Sequence, residues 1–327
     1  MSRSRRTAKA DEYFRRAPNY SAEAIICLRE QAKLWMALGM YPNSSELYLE
    51  AARMIEASHK FALPDNGFLF DHATAAMIDG FHPPFHTCVF EYGISGETGD
   101  DPPLPRPVHG RQRIPVSRVL VLCRCYKRNG DDVVSVMPVF ASAYREWHLA
   151  LFCAELSLND FCAVDVPKVG GRDRFLRDGV GIKGCSFLLT GERSMEILGV
   201  EDTQDYRWLN ERARKGIGRD LSTVLQACAA LSCTNVTTEL IRPNREARAA
   251  RPESTLFDYH VLMIRPGAER HEGPALGGSH ASPRTHLRRG HIRQHPTAGR
   301  IWVNSCVVNP TAIGTVNKDY EIVPRKK

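Results

Sequence analysis

The dipeptide Asn129-Gly130 stands between two runs rich in Val, Cys, Tyr and Phe, at 117–126 and 132–140. Asn and Gly tolerate the positive φ angles of a type I′ turn, whose twist matches that of two paired strands, so this stretch predicts a β-hairpin. A third run of the same kind, 85–92, is also bounded by turn residues. Three such segments commit the middle of the chain to a mostly antiparallel sheet, which must bury at least one face against something else.

Helices are the expected cover. One starts at Ser21, whose hydroxyl can cap the first free amides. Its apolar residues Ile25, Leu28, Ala32, Trp35 and Met36 follow three/four spacing, and Gly39 and Pro42 stop it. Asn43-Ser44-Ser45 offers a second cap, followed by Leu47, Ala51, Met54, Ile55 and Ser58. The short connection makes these two an antiparallel pair. Pro64-Asp65-Asn66-Gly67 is a turn, with a third short helix expected over 71–79. Residues 93–115 carry five prolines and read as a long loop. Helix is expected over 142–158 and 221–231, and strand over 235–241, 255–264, 301–308 and 315–322, the last two folded about Asn309-Pro310. Repeated glycines leave 165–219 without a pattern, and there is no internal repeat.

The fold class expected is therefore α+β: a helical N-terminal part, a mostly antiparallel sheet with packed helices, and a small basic β-rich C-terminal unit. The domain division is 1–82 helical, 83–266 central α+β, and 267–327 basic and β-rich, after a Gly/Pro linker at 267–283. At roughly 100–200 residues per domain, 327 residues suit this organisation.

Charge is unevenly placed. From Arg242 to Lys327 there are fifteen Lys and Arg against seven Asp and Glu, whereas the other 241 residues carry twenty-nine against thirty. The positive excess belongs to the last quarter, which points to an anionic partner such as RNA, DNA or the ribosome surface. No apolar run approaches the length of a membrane helix, and the basic start lacks the apolar core of a secretory signal. The expected location is cytoplasmic, with no membrane partner. The ten cysteines are scattered, with Cys27, Cys88, Cys153, Cys228 and Cys306 in apolar contexts, and read as reduced core thiols. Cys123 and Cys125 have strand spacing and fit core packing. His82 and His86 flank a Pro-Pro-Phe segment that reads as a rigid lead into a strand.

The densest chemistry lies in Arg284-Thr285-His286-Leu287-Arg288-Arg289-Gly290-His291-Ile292-Arg293-Gln294-His295, with four arginines and three histidines in twelve residues. Guanidinium forks grip phosphate and imidazoles stack on bases, so single-stranded RNA is one partner. Imidazoles can also act as acid and base in RNA cleavage, which would use His286, His291 or His295. Zinc is a poorer fit, because no cysteine pair or carboxylate follows the usual ligand spacing. The plainer alternative is that these side chains pack within a terminal β unit. Val169-Gly170-Gly171 and Gly179-Val180-Gly181 lack the Lys-Ser/Thr of a P-loop. No nucleophile elbow, kinase set or zincin motif is present, so no catalytic residue, metal ligand or cofactor is assigned.

Arg284, His286, Arg288, Arg289, Gly290 and His291, followed by Ile301-Trp302-Val303, resemble the C-terminus of the second of the type V-A anti-CRISPR families, proteins of phages and mobile elements. That family carries an Arg-Pro-His-x-Arg-Arg-Gly-His run and then a strand with Trp and alternating Val; Thr285 stands here where the family has Pro. The clear match covers about 30 residues, and a weaker one, in the order basic loop, apolar strand and polar linker, about 80. The resemblance implies a protein that recognises the nascent N-terminal peptide of a type V-A CRISPR nuclease at the ribosome. Its message is then destroyed, which lowers production of the nuclease rather than blocking the finished complex. It further implies a peptide-, RNA- or ribosome-binding role for Arg284, His286, Arg288, Arg289, His291, Arg293 and Trp302. Because no catalytic set is evident in the residues, a recruited host nuclease is expected rather than direct cutting of RNA. An RNA-binding phage protein or a His-dependent ribonuclease with another target are the competing readings.

Overall fold

A computed structural model of the chain describes residues 19–67, 69–70, 81–94, 116–142, 146–163, 168–169, 172–173, 182–199, 206–242, 256–264, 286–288, 291–303 and 306–308. Helix α1 (Tyr20–Ala37) turns through Gly39 into α2 (Pro42–Ala57), which leads to β1 (His59–Ala62) and a 3-10 turn at Asp65–Gly67. Strands β2 (Thr87–Gly93), β3 (Val116–Arg128), β4 (Asp131–Ser142), β5 (Trp147–Leu149) and β6 (Phe152–Ser157) follow. Four two-residue strands, β7 (Cys162–Ala163), β8 (Lys168–Val169), β9 (Arg172–Asp173) and β10 (Ile182–Lys183), pair as β7 with β10 and β8 with β9. Then come β11 (Cys185–Leu189), α3 (Glu192–Leu198), α4 (Tyr206–Leu231), β12 (Val236–Ile241) and β13 (Tyr259–Ile264). The chain's last described strands are β14 (His286–Arg288), β15 (His291–His295), β16 (Gly299–Val303) and β17 (Cys306–Val308).

Nine strands form one sheet in the order β11-β6-β4-β3-β2-β1-β13-β12, with β5 also pairing β4. The hairpin expected at Asn129-Gly130 is present, with φ of 53° and 92° at the two residues, and its ladder runs from Arg128↔Asp131 to Val116↔Ser142. Strand β1 is parallel to both neighbours, β2 and β13, while the other pairings are antiparallel, so the class is α+β with a mixed, mostly antiparallel sheet.

Both faces of the sheet are covered. On one, Val89, Leu120, Leu122, Met137 and Val139 meet Ile25, Leu28, Ala32 and Trp35 of α1 and Tyr48, Ala51 and Ile55 of α2. On the other, Phe61, Phe90, Val121, Val136 and Leu156 meet Leu221, Val224, Leu225 and Cys228 of α4. Strand alternation sends successive residues to the two cores, so β2 and β3 carry unbroken apolar runs, Cys88–Phe90 and Val119–Cys123. Strand β1 sits inside this sheet, and α1 and α2 pack on it. No helix among the described residues is long and apolar enough to cross a membrane, and the nine described cysteines are free thiols.

Several expectations are corrected. Residues 147–149 and 152–157 are strands, not part of a helix over 142–158. Trp147 and Leu149 enter the α1/α2 core while Phe152, Ala154 and Leu156 enter the α4 core; a short apolar run buried on both sides has no period that separates strand from helix. Helix α4 starts fifteen residues before Leu221, because its N-terminal half is too polar to show a stripe. The stretch expected as one strand over 301–308 holds β16 and β17, which pair with β15 and β14; its expected partner, 315–322, lies outside the described residues, as do 71–79 and 95–115. Met36 is exposed, off the buried stripe. The Asn43-Ser44-Ser45 cap is displaced by Tyr41, in the left-handed region at φ 48°, with Pro42 in the first turn.

Ser21 does not cap α1 with its hydroxyl. Instead the buried Glu91 carboxylate on β2 accepts the Ser21 backbone N–H (3.2 Å) and the Ser21 hydroxyl, and Tyr259 of β13 donates to it at 2.8 Å. A carboxylate at a helix N-terminus satisfies free amides and meets the positive end of the helix dipole. Burial nevertheless pushes the Glu91 carboxyl up to about 7, with the Ser21 and Tyr259 hydrogen bonds pulling the other way. Its neighbour Lys60, also buried, donates to the carbonyls of Glu56 (2.9 Å) and Ser58 (2.7 Å), and burial lowers it to about 8. A carboxyl raised from 4.5 means that the folded chain binds this proton more tightly than the unfolded one. The stability this contributes is fully present below about pH 4.5 and is lost as pH rises through about 7. Urea unfolding should therefore show the wild type losing on the order of 2–3 kcal/mol relative to Glu91→Gln between those limits. Parallel pH profiles for the two proteins would refute the assignment.

Candidate binding edge and its basic hairpin

The C-terminal strands pair as two antiparallel ladders, β14 with β17 from His286↔Val308 to Arg288↔Cys306, and β15 with β16 from His291↔Val303 to His295↔Gly299. The second of these is a basic ribbon. The turn at 296–298 is closed by the His295 ring, whose Nδ1 accepts the backbone N–H groups of Thr297 (3.3 Å) and Ala298 (3.1 Å). Gly299 follows at φ +70°, a left-handed conformation that suits glycine.

This ribbon is fastened to the sheet at the junction of α4 and β12. Asn235 grips the Trp302 backbone from both sides, its Nδ2 donating to the carbonyl (2.8 Å) and its Oδ1 accepting the N–H (2.7 Å). The Thr234 N–H donates to the Arg300 carbonyl at 2.9 Å. The Trp302 ring is buried, its centroid 4.3 Å from that of Phe70, and Ile292 opposite it also packs on the α4 core. An amide side chain that bonds both the N–H and the C=O of one residue mimics a strand neighbour, so the basic ribbon is held against the junction of α4 and β12.

The sequence-predicted site residues thus divide. Trp302 is an anchor in the core, and Arg293 is exposed on β15. His286 and Arg288 lie on the paired backbone of β14, and His291 on that of β15. Arg284 and Arg289 lie outside the described residues. His295, a catalytic candidate in the ribonuclease reading, serves the turn through Nδ1. The motif search missed Asn235 and Thr234; the only signal was a polar Thr-Asn pair directly before a strand.

Strand β12 is an edge of the sheet among the described strands, and its exposed Leu240 lies opposite His260 of β13. Beyond His260 the row continues to Phe61 of β1, whose ring stacks on the His260 imidazole at 5.0 Å. His59 lies alongside, stacked on Phe85 at 3.7 Å, with its Nδ1 3.4 Å from His260 Nε2. Burial, and then the His59 charge, lower the His260 pKa, so this ring favours its neutral form. Edge strands are usually blunted by charge, proline or bulges; β12 presents Thr237, Thr238, Glu239 and Leu240, with one charge.

The opposite edge, β11, borders a shallow cleft of about 370 Å³ lined by Arg128, Asp131, Glu155, Asp160 and Cys185. Burial pushes the Cys185 thiol up to about 12, so it is no nucleophile. Arg128 and Tyr126 are both bound to Glu155, so the Arg128 charge there is paired. Among the described residues no group of three His, Cys, Asp or Glu side chains is assembled to hold a metal ion. No family model, curated protein or solved structure matches the chain.

Replacing Asn235 by Ala removes both bonds to Trp302 and leaves a buried peptide unit without them. The expected cost is about 1–3 kcal/mol of local stability, read as faster amide hydrogen exchange across 299–303 with α1 and α2 unaffected. Unchanged exchange there would show that the ribbon is held by other contacts.

Proposed function

We propose that this chain is an anti-CRISPR protein acting in the cytoplasm of a bacterial host. It recognises the nascent N-terminal peptide of a type V-A CRISPR nuclease at the ribosome and triggers loss of the nuclease mRNA. The observation that carries the reading is the fastening of the Arg/His ribbon at the start of β12, which is an edge of the sheet among the described strands. An emerging peptide is extended, and an unpaired edge offers it backbone hydrogen bonds by strand addition. The ribosome and its message are polyanions, and a basic ribbon next to that edge supplies attraction to them. The residue motif shared with the second type V-A anti-CRISPR family supports the same partner. His295 is committed to its turn through Nδ1, which favours recruitment of a host nuclease over cleavage by that ring.

The test uses cells expressing the nuclease from its native coding sequence, with and without this protein, and quantifies the nuclease mRNA. A control carries first codons recoded to a different peptide. The expected result is selective loss of the native message, abolished by recoding and strongly reduced by Leu240→Lys at the edge. Equal mRNA levels in all arms would overturn the proposed target. Loss that ignores recoding would instead favour a general RNA-binding or ribonuclease activity.

A further inference from the structure

Helices α1 and α2 lie side by side on one face of the sheet, yet their outward rows differ in kind. That of α2 is Glu46, Glu50, Arg53 and Glu56, all exposed and charged. That of α1 is Ile26, Glu30, Lys33, Leu34 and Ala37, also all exposed, with Ile26 at 50% and Leu34 at 53%. The spacing is again three and four, so these residues form a second stripe along the helix. Helix α1 is therefore apolar on two sides: Leu28, Ala32 and Trp35 serve the core, and the other side faces out. A helix with apolar residues on both sides is normally buried on both. Leu38 and Met40 prolong the exposed apolar surface past the end of the helix.

The stripe has one arrangement of charge, Glu30 and Lys33 one turn apart at its centre, and this identifies the occupant. In an antiparallel pair of identical helices centred between residues 31 and 32, Glu30 of one copy faces Lys33 of the other, and the contact occurs twice. Ile26 then meets Ala37 of the second copy, and Leu34 falls between Glu30 and Ile26 of that copy. The same patch is complementary to itself about a two-fold axis, which is the requirement for an isologous dimer. We propose that the chain self-associates through α1 packed antiparallel on α1 of a second copy. One helix face is a small interface, so the dimer is weak and concentration-dependent. This association uses the outward face of α1 and none of the residues of β12.

Sedimentation equilibrium on the full chain over a wide concentration range tests it, with variants at exposed positions that leave the core intact. The wild type should fit a monomer–dimer equilibrium. Leu34→Glu should weaken association about tenfold or more. Glu30→Lys places lysines opposite one another twice and should weaken it by roughly tenfold. Glu30→Lys combined with Lys33→Glu restores opposite charges and should recover most of that loss. A monomer at every concentration would overturn the proposal, as would a dimer indifferent to Leu34→Glu, which would place the contact elsewhere. Failure of the double charge exchange to restore association would overturn the antiparallel register.

Discussion

The Glu91 carboxylate ties together three elements that are far apart in the chain. It lies on β2, receives the first turn of α1 through Ser21, and receives β13 through the Tyr259 hydroxyl. A buried carboxylate demands such donors, because an unpaired charge in the interior costs several kcal/mol or neutralises itself. Once Tyr259 answers that demand, β13 is held next to β1, in parallel, at a position that sequence proximity would never select. Strand β12 follows as the next neighbour and becomes an edge. The Asn235 grip at its start then sets the place of the C-terminal ribbon. The candidate binding edge therefore descends from one buried acid through a short series of pairings.

That arrangement reconciles a core protein with a surface function. Covering the sheet on both faces removes it from solvent, but strand ends and edges remain, and the chain uses them unequally. Beside β11 the Arg128 charge is taken up by Glu155, which Tyr126 also holds. At β12 the basic ribbon is fastened at the start of the strand and the exposed Leu240 lies near its end, opposite His260. An edge among the described strands with positive charge at one end suits the proposed partner, one that is extended and accompanied by a polyanion. The outward stripe of α1 is a separate surface of different character, helical rather than extended.

Trp302 shows why a motif is not yet a site. By position it belongs to the segment that carries the family resemblance, and its type suits stacking on a base. In the fold it is consumed by packing on Phe70, while the contact surface falls to neighbours such as Arg293. Its role is to aim the ribbon. Nor could its partner, Asn235, be picked out by spacing, since its two bonds are to a backbone sixty-seven residues away.

The hairpin at Asn129-Gly130, the strands on either side of it, the first two helices and the sheet-with-helices class were legible from the residues alone. These depend on local rules: positive φ at a turn, a three/four stripe, a run of β-branched residues. The concentration of basic charge after residue 242 was legible for the same reason, being a property of composition. What only the tertiary structure decided was long-range pairing: 147–157 as strands rather than helix, the parallel setting of β1, the return of 301–308 onto 286–295, and the edge at β12. Each depends on which partner lies on the far side of a buried face. A segment apolar on both sides carries no period, and an inward Glu or a bridging Asn finds its partner only when the chain has closed.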